Sequence, residues 1–235
     1  MESKYKRVVL KISGEALAGE NKFGLDDPTL QKVALDVKQL YDMDVQVAIV
    51  VGGGNFWRGR SSENIDRTKA DQIGMLATVM NCLYVSEIFR TEGMPTVVMT
   101  PFTVGAFTEL FSKDKANQYF AEGKVVFYAG GTGHPYFSTD TGILLRAIES
   151  EADMILLAKN IDGIYDSDPA KNPGAKRFDT ISIQEVVERG LQAVDMTASI
   201  LAMENHMPMR VFALQEENSI VKAASGDFNG TTVTA

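Results

Sequence analysis

The chain has 235 residues, enough for one large domain or two small ones with a substantial core. Hydrophobic residues at 45% and charged residues at 23% are ordinary for a globular protein. A formal charge of −8 argues against a nucleic-acid coat or an anionic-membrane binder, and leaves any anionic ligand to a few locally concentrated cations.

Taken in chain order, residues 1–7 lead straight into a strand-like run, Arg7–Ile12, with no apolar signal core. The run ends in Lys11-Ile12-Ser13-Gly14-Glu15, a lysine at a strand end followed by an opened backbone. Asp27 can cap a helix with Pro28 at its first position, and Leu30, Val33, Ala34, Val37, Leu40 and Tyr41 then form one stripe. A second strand, Val45–Val51, runs into Gly52-Gly53-Gly54-Asn55-Phe56-Trp57-Arg58-Gly59. A longer helix follows through Ile73, Leu76, Ala77, Met80, Leu83, Tyr84 and Ile88, carrying Cys82 as a small buried hydrophobe. That lone cysteine excludes an internal disulfide and fits a reducing compartment. Strands Thr96–Thr100 and Lys124–Ala129 come next, the latter opening into Gly130-Gly131-Thr132-Gly133-His134-Pro135-Tyr136-Phe137-Ser138-Thr139-Asp140 and a helix through Ile143, Leu144, Ala147 and Ile148. Strand Met154–Ala158 precedes Asp162-Gly163. Residues 168–174 read as a loop, Ser182-Ile183-Gln184-Glu185 as a capping box, and Arg210–Leu214 as a last strand.

Apolar runs alternating with amphipathic helices predict an α/β fold, with a largely parallel central sheet covered by helices on both faces. One domain with two lobes is expected, an acceptor lobe over roughly 1–150 and a donor lobe over roughly 151–235. No stretch approaches the ~20 apolar residues of a membrane span, so a cytoplasmic protein is expected.

Each glycine segment places bare N–H groups at the carboxyl end of a strand, where α/β sheets hold ligands and successive amides form an anion nest. Three such segments, with Lys11 and Arg58 beside two of them, point to phosphoryl transfer between separate donor and acceptor sites. The motif is not a Walker loop, because no Gly-x-x-x-x-Gly-Lys-Ser/Thr occurs. Nor is it a dinucleotide fingerprint, since Trp57 and Tyr136 stand where the third glycine belongs. His134, His206 and Cys82 do not make a metal-ligand cluster.

Lys11 through Leu17, Gly52 through Gly59, Asp71 through Asn81, Gly131 through Asp140, and Asp162-Gly163-Ile164-Tyr165 with Asp168-Pro169 occur in an order that resembles the bacterial uridylate kinases of the amino acid kinase superfamily. The likeness spans nearly the whole chain. It implies an amino acid kinase-like sandwich and the reaction ATP + UMP to ADP + UDP, a step of pyrimidine nucleotide biosynthesis. Mg²⁺ would bridge the donor phosphates. The acceptor is a phosphate monoester whose second pKa is about 6, mostly dianionic at neutral pH, so no general base is required. Bringing two anions together is the difficulty, and cations and amide dipoles must meet it.

The resemblance implies roles residue by residue. Lys11 contacts the transferring group, with Ile12, Ser13 and Gly14 at the donor phosphates; Gly53 and Gly54 lie between acceptor and donor; Arg58 forks the acceptor phosphate. Asp71 takes the ribose hydroxyls of UMP, against the plainer reading of a carboxylate at a helix start. Thr132, Gly133, His134, Pro135, Tyr136, Phe137, Ser138 and Thr139 line the UMP site. Asp140 sits at a helix start, where capping explains it, and Asp195 matches an acidic position that a helix cap also explains. Asp162 is the carboxylate expected to organise lysine and metal, against the reading of a plain Asp-Gly turn. Either Lys159 or Asn160 adjoins adenine, with Tyr165 and Asp168 at adenine and ribose. The family implies a homohexamer activated by GTP and inhibited by UTP, with residues 19–24 near the GTP-responsive region. The competing readings are a superfamily relative acting on a carboxylate or carbamate, and a nucleotide binder without catalysis.

Overall fold

The computed structural model describes residues 3–57, 64–191 and 193–235. Its strands are β1 (Arg7–Ile12), β2 (Gln46–Val51), β3 (Thr96–Thr100), β4 (Glu109–Leu110), β5 (Val125–Tyr128), β6 (Met154–Lys159), β7 (Thr180–Ser182), β8 (Met209–Ala213) and β9 (Gly230–Thr234). They form one sheet in the order β4-β3-β5-β2-β1-β6-β8-β9-β7. Every pairing is parallel except β8 with β9. The helices are α1 (Gly14–Leu17), α2 (Asp27–Tyr41), α3 (Arg67–Thr91), α4 (Lys113–Ala121), α5 (Thr139–Glu149), α6 (Ile183–Glu188), α7 (Met196–Glu204) and α8 (Ser219–Ser225).

Period-two alternation divides the sheet between two cores. Val8, Leu10 and Ile12 of β1 pack with residues of α2, α3 and α8 on one face. Val9 of β1, with Ile155 and Leu157 of β6, packs with residues of α4 to α7 on the other. Because β1, β2, β5 and β6 are parallel neighbours, their carboxyl ends, and the loops that follow them, lie along one rim of the sheet. β1 is central, and successive strands leave it on opposite sides, β2 on one and β6 on the other. Such a switch point opens a crevice at the strand ends.

The expected α/β architecture is present, and several local expectations are corrected. The cap of α2 is Asp26, whose carboxylate accepts from the Thr29 N–H at 3.0 Å; Asp27 is already the first helical residue. Helix α3 starts at Arg67 under an Asp66 cap, so Asp71 lies in its second turn rather than at its start. Ser138 caps α5, accepting from the Asp140 N–H at 2.9 Å, which takes the capping role from Asp140. Asp195 does cap α7, accepting from the Ala198 N–H at 2.8 Å. Ser182 caps α6 through the Glu185 N–H at 3.1 Å, while the Glu185 carboxylate pairs with Arg189.

Strands β4, β7 and β9 and helix α4 carry no apolar run long enough to announce them. By length and composition α3, with 25 residues, could cross a membrane, contrary to the sequence expectation. Its packing against α2, β2, β3 and β5 makes it a core helix of this fold. Cys82 is fully buried on it, and burial pushes its thiol up to about 12.

Candidate functional site

Two lysines leave the sheet rim on the same face. Lys11 follows Val9 by two residues on β1, and Lys159 follows Leu157 by two on β6, so both project toward the α5–α7 layer. The β1–β6 register sets Lys11 beside Leu157. Asp140, in the first turn of α5, forms an ion pair with the Lys11 ammonium; the two side chains are only 13% and 19% exposed. Burial pushes the Asp140 carboxyl up, but the charges of Lys11 and Lys159, the Lys11 hydrogen bond and a backbone hydrogen bond from Asp195 outweigh it, holding the group below its ordinary range. Burial lowers the Lys159 pKa and the Lys11 charge adds to this, while Asp140 opposes both. The Lys159 ammonium donates to the Ala193 carbonyl. Asp195 ties the layer together, accepting from the Ser138 and Thr141 hydroxyls as well as capping α7.

The glycine loops reach this cluster because their backbones touch. A Cβ on Gly14 would stand 2.6 Å from the Gly52 carbonyl oxygen, and one on Gly53 would stand 2.9 Å from the Gly74 carbonyl oxygen, so neither position admits a side chain unless the loops separate. The Gly52 N–H donates to the Ile12 carbonyl at 2.9 Å. Ser13 caps α1, its hydroxyl accepting from the Ala16 N–H at 3.1 Å.

Two cavities flank the amino end of α5. The smaller, of about 140 Å³, is lined by Gly53, Gly54, Asp71, Thr132, Phe137 and Thr139, with Trp57, Arg67 and Ser138 also on its wall. The larger, of about 460 Å³, is lined by Asp140, Lys159, Val186, Leu191, Asp195 and Met196 among others. Thr139 and Asp140, adjacent in sequence, face different cavities, so Asp140 stands at the partition; Lys11, in neither lining, reaches it through their ion pair.

In the smaller cavity, the Asp71 carboxylate accepts from the Arg67 guanidinium and from the Tyr136 N–H, each at 2.8 Å. Tyr136 has φ +72°, a left-handed backbone rarely taken by aromatic residues, and the Arg67 guanidinium lies 5.4 Å from its ring centre. The half-exposed Phe137 ring lines the wall, while His134 sits in a turn made by Thr132, whose hydroxyl accepts from the His134 N–H at 3.2 Å. Gly133 closes the same turn, its N–H donating to the Gly130 carbonyl at 3.0 Å, with Pro135 following.

The structure separates the other expected residues from Lys11. Asp162 accepts from the Tyr165 hydroxyl at 2.7 Å and from Arg177 at 2.6 Å, and no ion pair among the described residues joins it to either lysine. Burial acts to raise its carboxyl, while the Tyr165 and Arg177 bonds and the Arg177 charge bring it below the usual value. The carboxylate paired with Lys11 is Asp140. Asp168 shapes its own turn, accepting from the Ala170 N–H at 3.0 Å. Lys159 lines the larger cavity; Asn160, Tyr165 and Asp168 are not in its lining. Arg58 lies outside the described residues. Arg67 and Arg177 went unnoticed in the sequence: Arg67 does stand at the i−4 position to Asp71, a spacing that signals a helical ion pair, but Arg177 carries no local signal.

Two half-buried lysines, glycine loops at the strand ends and a pair of cavities flanking the amino end of α5 form an arrangement suited to holding two anions close together. Comparison with known proteins agrees with that geometry. Residues 6–213 match the amino acid kinase family, and the chain belongs to it. Among solved structures, it is similar to a UMP kinase from Bacillus anthracis, at 34% identity over 98% of this chain and 96% of that one, with a TM-score of 0.94. A UMP kinase from Ureaplasma parvum is 31% identical over 99% and 100% of the two chains, with a TM-score of 0.93. A uridylate kinase from Archaeoglobus fulgidus is 25% identical over 96% and 99%, with a TM-score of 0.75.

Proposed function

We propose that this chain transfers the γ-phosphoryl group of ATP to UMP, yielding ADP and UDP for pyrimidine nucleotide synthesis. The observation that carries the reading is the Lys11–Asp140 pair at the partition between the two cavities, in a chain similar over nearly its full length to UMP kinases. UMP occupies the smaller cavity, with Asp71 toward the ribose, Thr132 through Thr139 around the nucleoside, Phe137 supplying aromatic surface, and Arg58 on the phosphate. The donor enters from the larger cavity, with Lys159 beside it and the Ser13–Gly14 amides near its phosphates, while the Gly53–Gly54 amides lie between acceptor and donor. Lys11 meets the oxygens of the migrating group. Asp140 aims that lysine, the duty sequence reasoning gave to Asp162.

Transfer of this kind passes through a loose transition state in which charge grows on the equatorial and bridging oxygens. A fixed ammonium and preorganised amides stabilise that charge without reorganising at the moment of reaction. Mg²⁺ neutralises the donor phosphates when bound. The Asp140 and Asp195 carboxylates, both on the wall of the larger cavity, would hold it there. A two-lobed division of labour within the sheet, a homohexameric state, GTP activation, UTP inhibition and a cytoplasmic location accompany this reading.

The test is ADP release with ATP and a panel of nucleoside monophosphates, carboxylates and carbamate as acceptors. UMP is expected to be the preferred acceptor. Turnover confined to a carboxylate or carbamate would transfer the protein to another branch of the family, and binding of both nucleotides without turnover would make it a binder.

A further inference from the structure

Helix α3 is apolar over most of its surface, yet Asp71, Gly74, Thr78 and Asn81 recur at three- and four-residue spacing along one stripe. Each of them meets a rim loop. Asp71 holds the Tyr136 N–H, the Gly74 carbonyl abuts Gly53, and the Thr78 hydroxyl accepts from the Gly130 N–H at 2.8 Å. Asn81 lies deepest, with no exposed surface, against Asn55, which is 1% exposed. Their carboxamides bond reciprocally: Asn81 donates to Asn55 at 2.7 Å and Asn55 donates to Asn81 at 3.0 Å. The second Asn81 N–H donates to the Gly52 carbonyl at 2.7 Å, and the second Asn55 N–H donates to the Gly24 carbonyl at 2.7 Å. The Gly24 N–H returns a bond to the Asn55 carbonyl at 3.2 Å. All four amide hydrogens are used.

A fully satisfied carboxamide pair in an apolar core has one arrangement, whereas apolar side chains of similar size could slide. The pair therefore fixes three things against one another: the Gly52–Gly54 loop, the helix that carries Asp71, and the segment ending at Gly24. Gly14 packs against the same Gly52 carbonyl, so the spacing between the first and second glycine loops depends on it too.

We infer that Asn81 and Asn55 are positioning residues for phosphoryl transfer, setting the separation of the donor and acceptor glycine loops without touching either nucleotide. The inference rests on the proposed kinase activity. Misplacement of a reacting group by about 1 Å costs on the order of 10²-fold in rate.

The experiment compares Asn81→Ala, Asn55→Ala and the double variant with the parent enzyme in steady-state kinetics with ATP and UMP. UMP affinity is measured separately by calorimetry, and Gly53 and Gly54 amide exchange by NMR. Each single variant is expected to lose at least about tenfold in kcat per folded molecule, with UMP affinity within about twofold of the parent and faster exchange at both glycines. The double variant is expected to fall little further than either single one, because both break the same pair. A parent enzyme inactive on UMP would defeat the functional reading. An active parent with kcat unchanged in the folded variants would defeat this inference alone, as would failure of both single variants to fold, which would make the pair a stability element.

Discussion

Lys11 and Asp140 lie 129 residues apart in sequence and meet because β1 ends where α5 begins. The Lys11 charge helps hold the Asp140 carboxyl below its ordinary range against burial, so removing the lysine changes both the chemistry and its partner. Lys11→Ala is expected to lower kcat by about 10²–10³-fold, the scale for losing one preorganised transition-state contact. UMP binding should survive, and the Asp140 carboxyl should move up, since its chief compensating charge is gone. Steady-state kinetics and a carbon-detected NMR titration of Asp140 check the two halves; unchanged kcat would remove Lys11 from the reaction. Asp71 poses a different question, because it already holds Arg67 and the strained Tyr136. Asp71→Asn is expected to raise the KM for UMP well beyond that for ATP, and equal increases would mean that Asp71 only fastens the loop.

At the scale of elements, β1 and β3 occupy the residues that their apolar runs indicate, and β2, β5, β6 and β8 fall within one residue of theirs. Strands covered on both faces advertise themselves through continuous Val, Ile and Leu. β9, with the sequence Gly-Thr-Thr-Val-Thr, and the three-residue β7 hold their places by pairing with distant strands, which leaves no local trace. The glycine loops were legible for a related reason, as their geometry is demanded by backbone contact within a few residues of a strand end. Partner choice was not. The sequence reading gave Asp162 to Lys11 and a helix cap to Asp140, whereas the fold brings Asp140 to Lys11 and Asp162 to Arg177. Helix caps carry an energetic test of their own. Asp26 accepts from both the Thr29 N–H and its hydroxyl, so Asp26→Ala is expected to destabilise the protein by about 1 kcal/mol, read from the urea midpoint at constant slope. A shift below a few tenths would show that α2 is held by its packing alone.

For the whole molecule, two buried aspartates make opposite contributions to stability as pH changes. Asp140 titrates below its unfolded value of 3.8, so its stabilisation is complete above that pH and is lost as acid passes the folded value. Asp36, buried on α2 against the start of α8, titrates above 3.8 because desolvation outweighs the Ile220 N–H and nearby lysines. Its proton is held more tightly by the folded chain, so it subtracts stability as pH rises above 3.8. Asp36→Asn keeps the shape and an acceptor for Ile220. It is expected to raise Tm at pH 7 and to leave Tm unchanged or lower near pH 3; a lower Tm at both would mean that the charge itself anchors α8.

The claim on which the rest depends is that two nucleotides meet end to end across the α5 partition. A crystal structure with UMP and a non-hydrolysable ATP analogue measures it most directly. The account predicts the γ-phosphorus within about 3–3.5 Å of a UMP phosphate oxygen, with the Lys11 ammonium on the bridging group. Nucleotides bound on separate surfaces, with Lys11 and Asp140 still paired and touching neither, would contradict it.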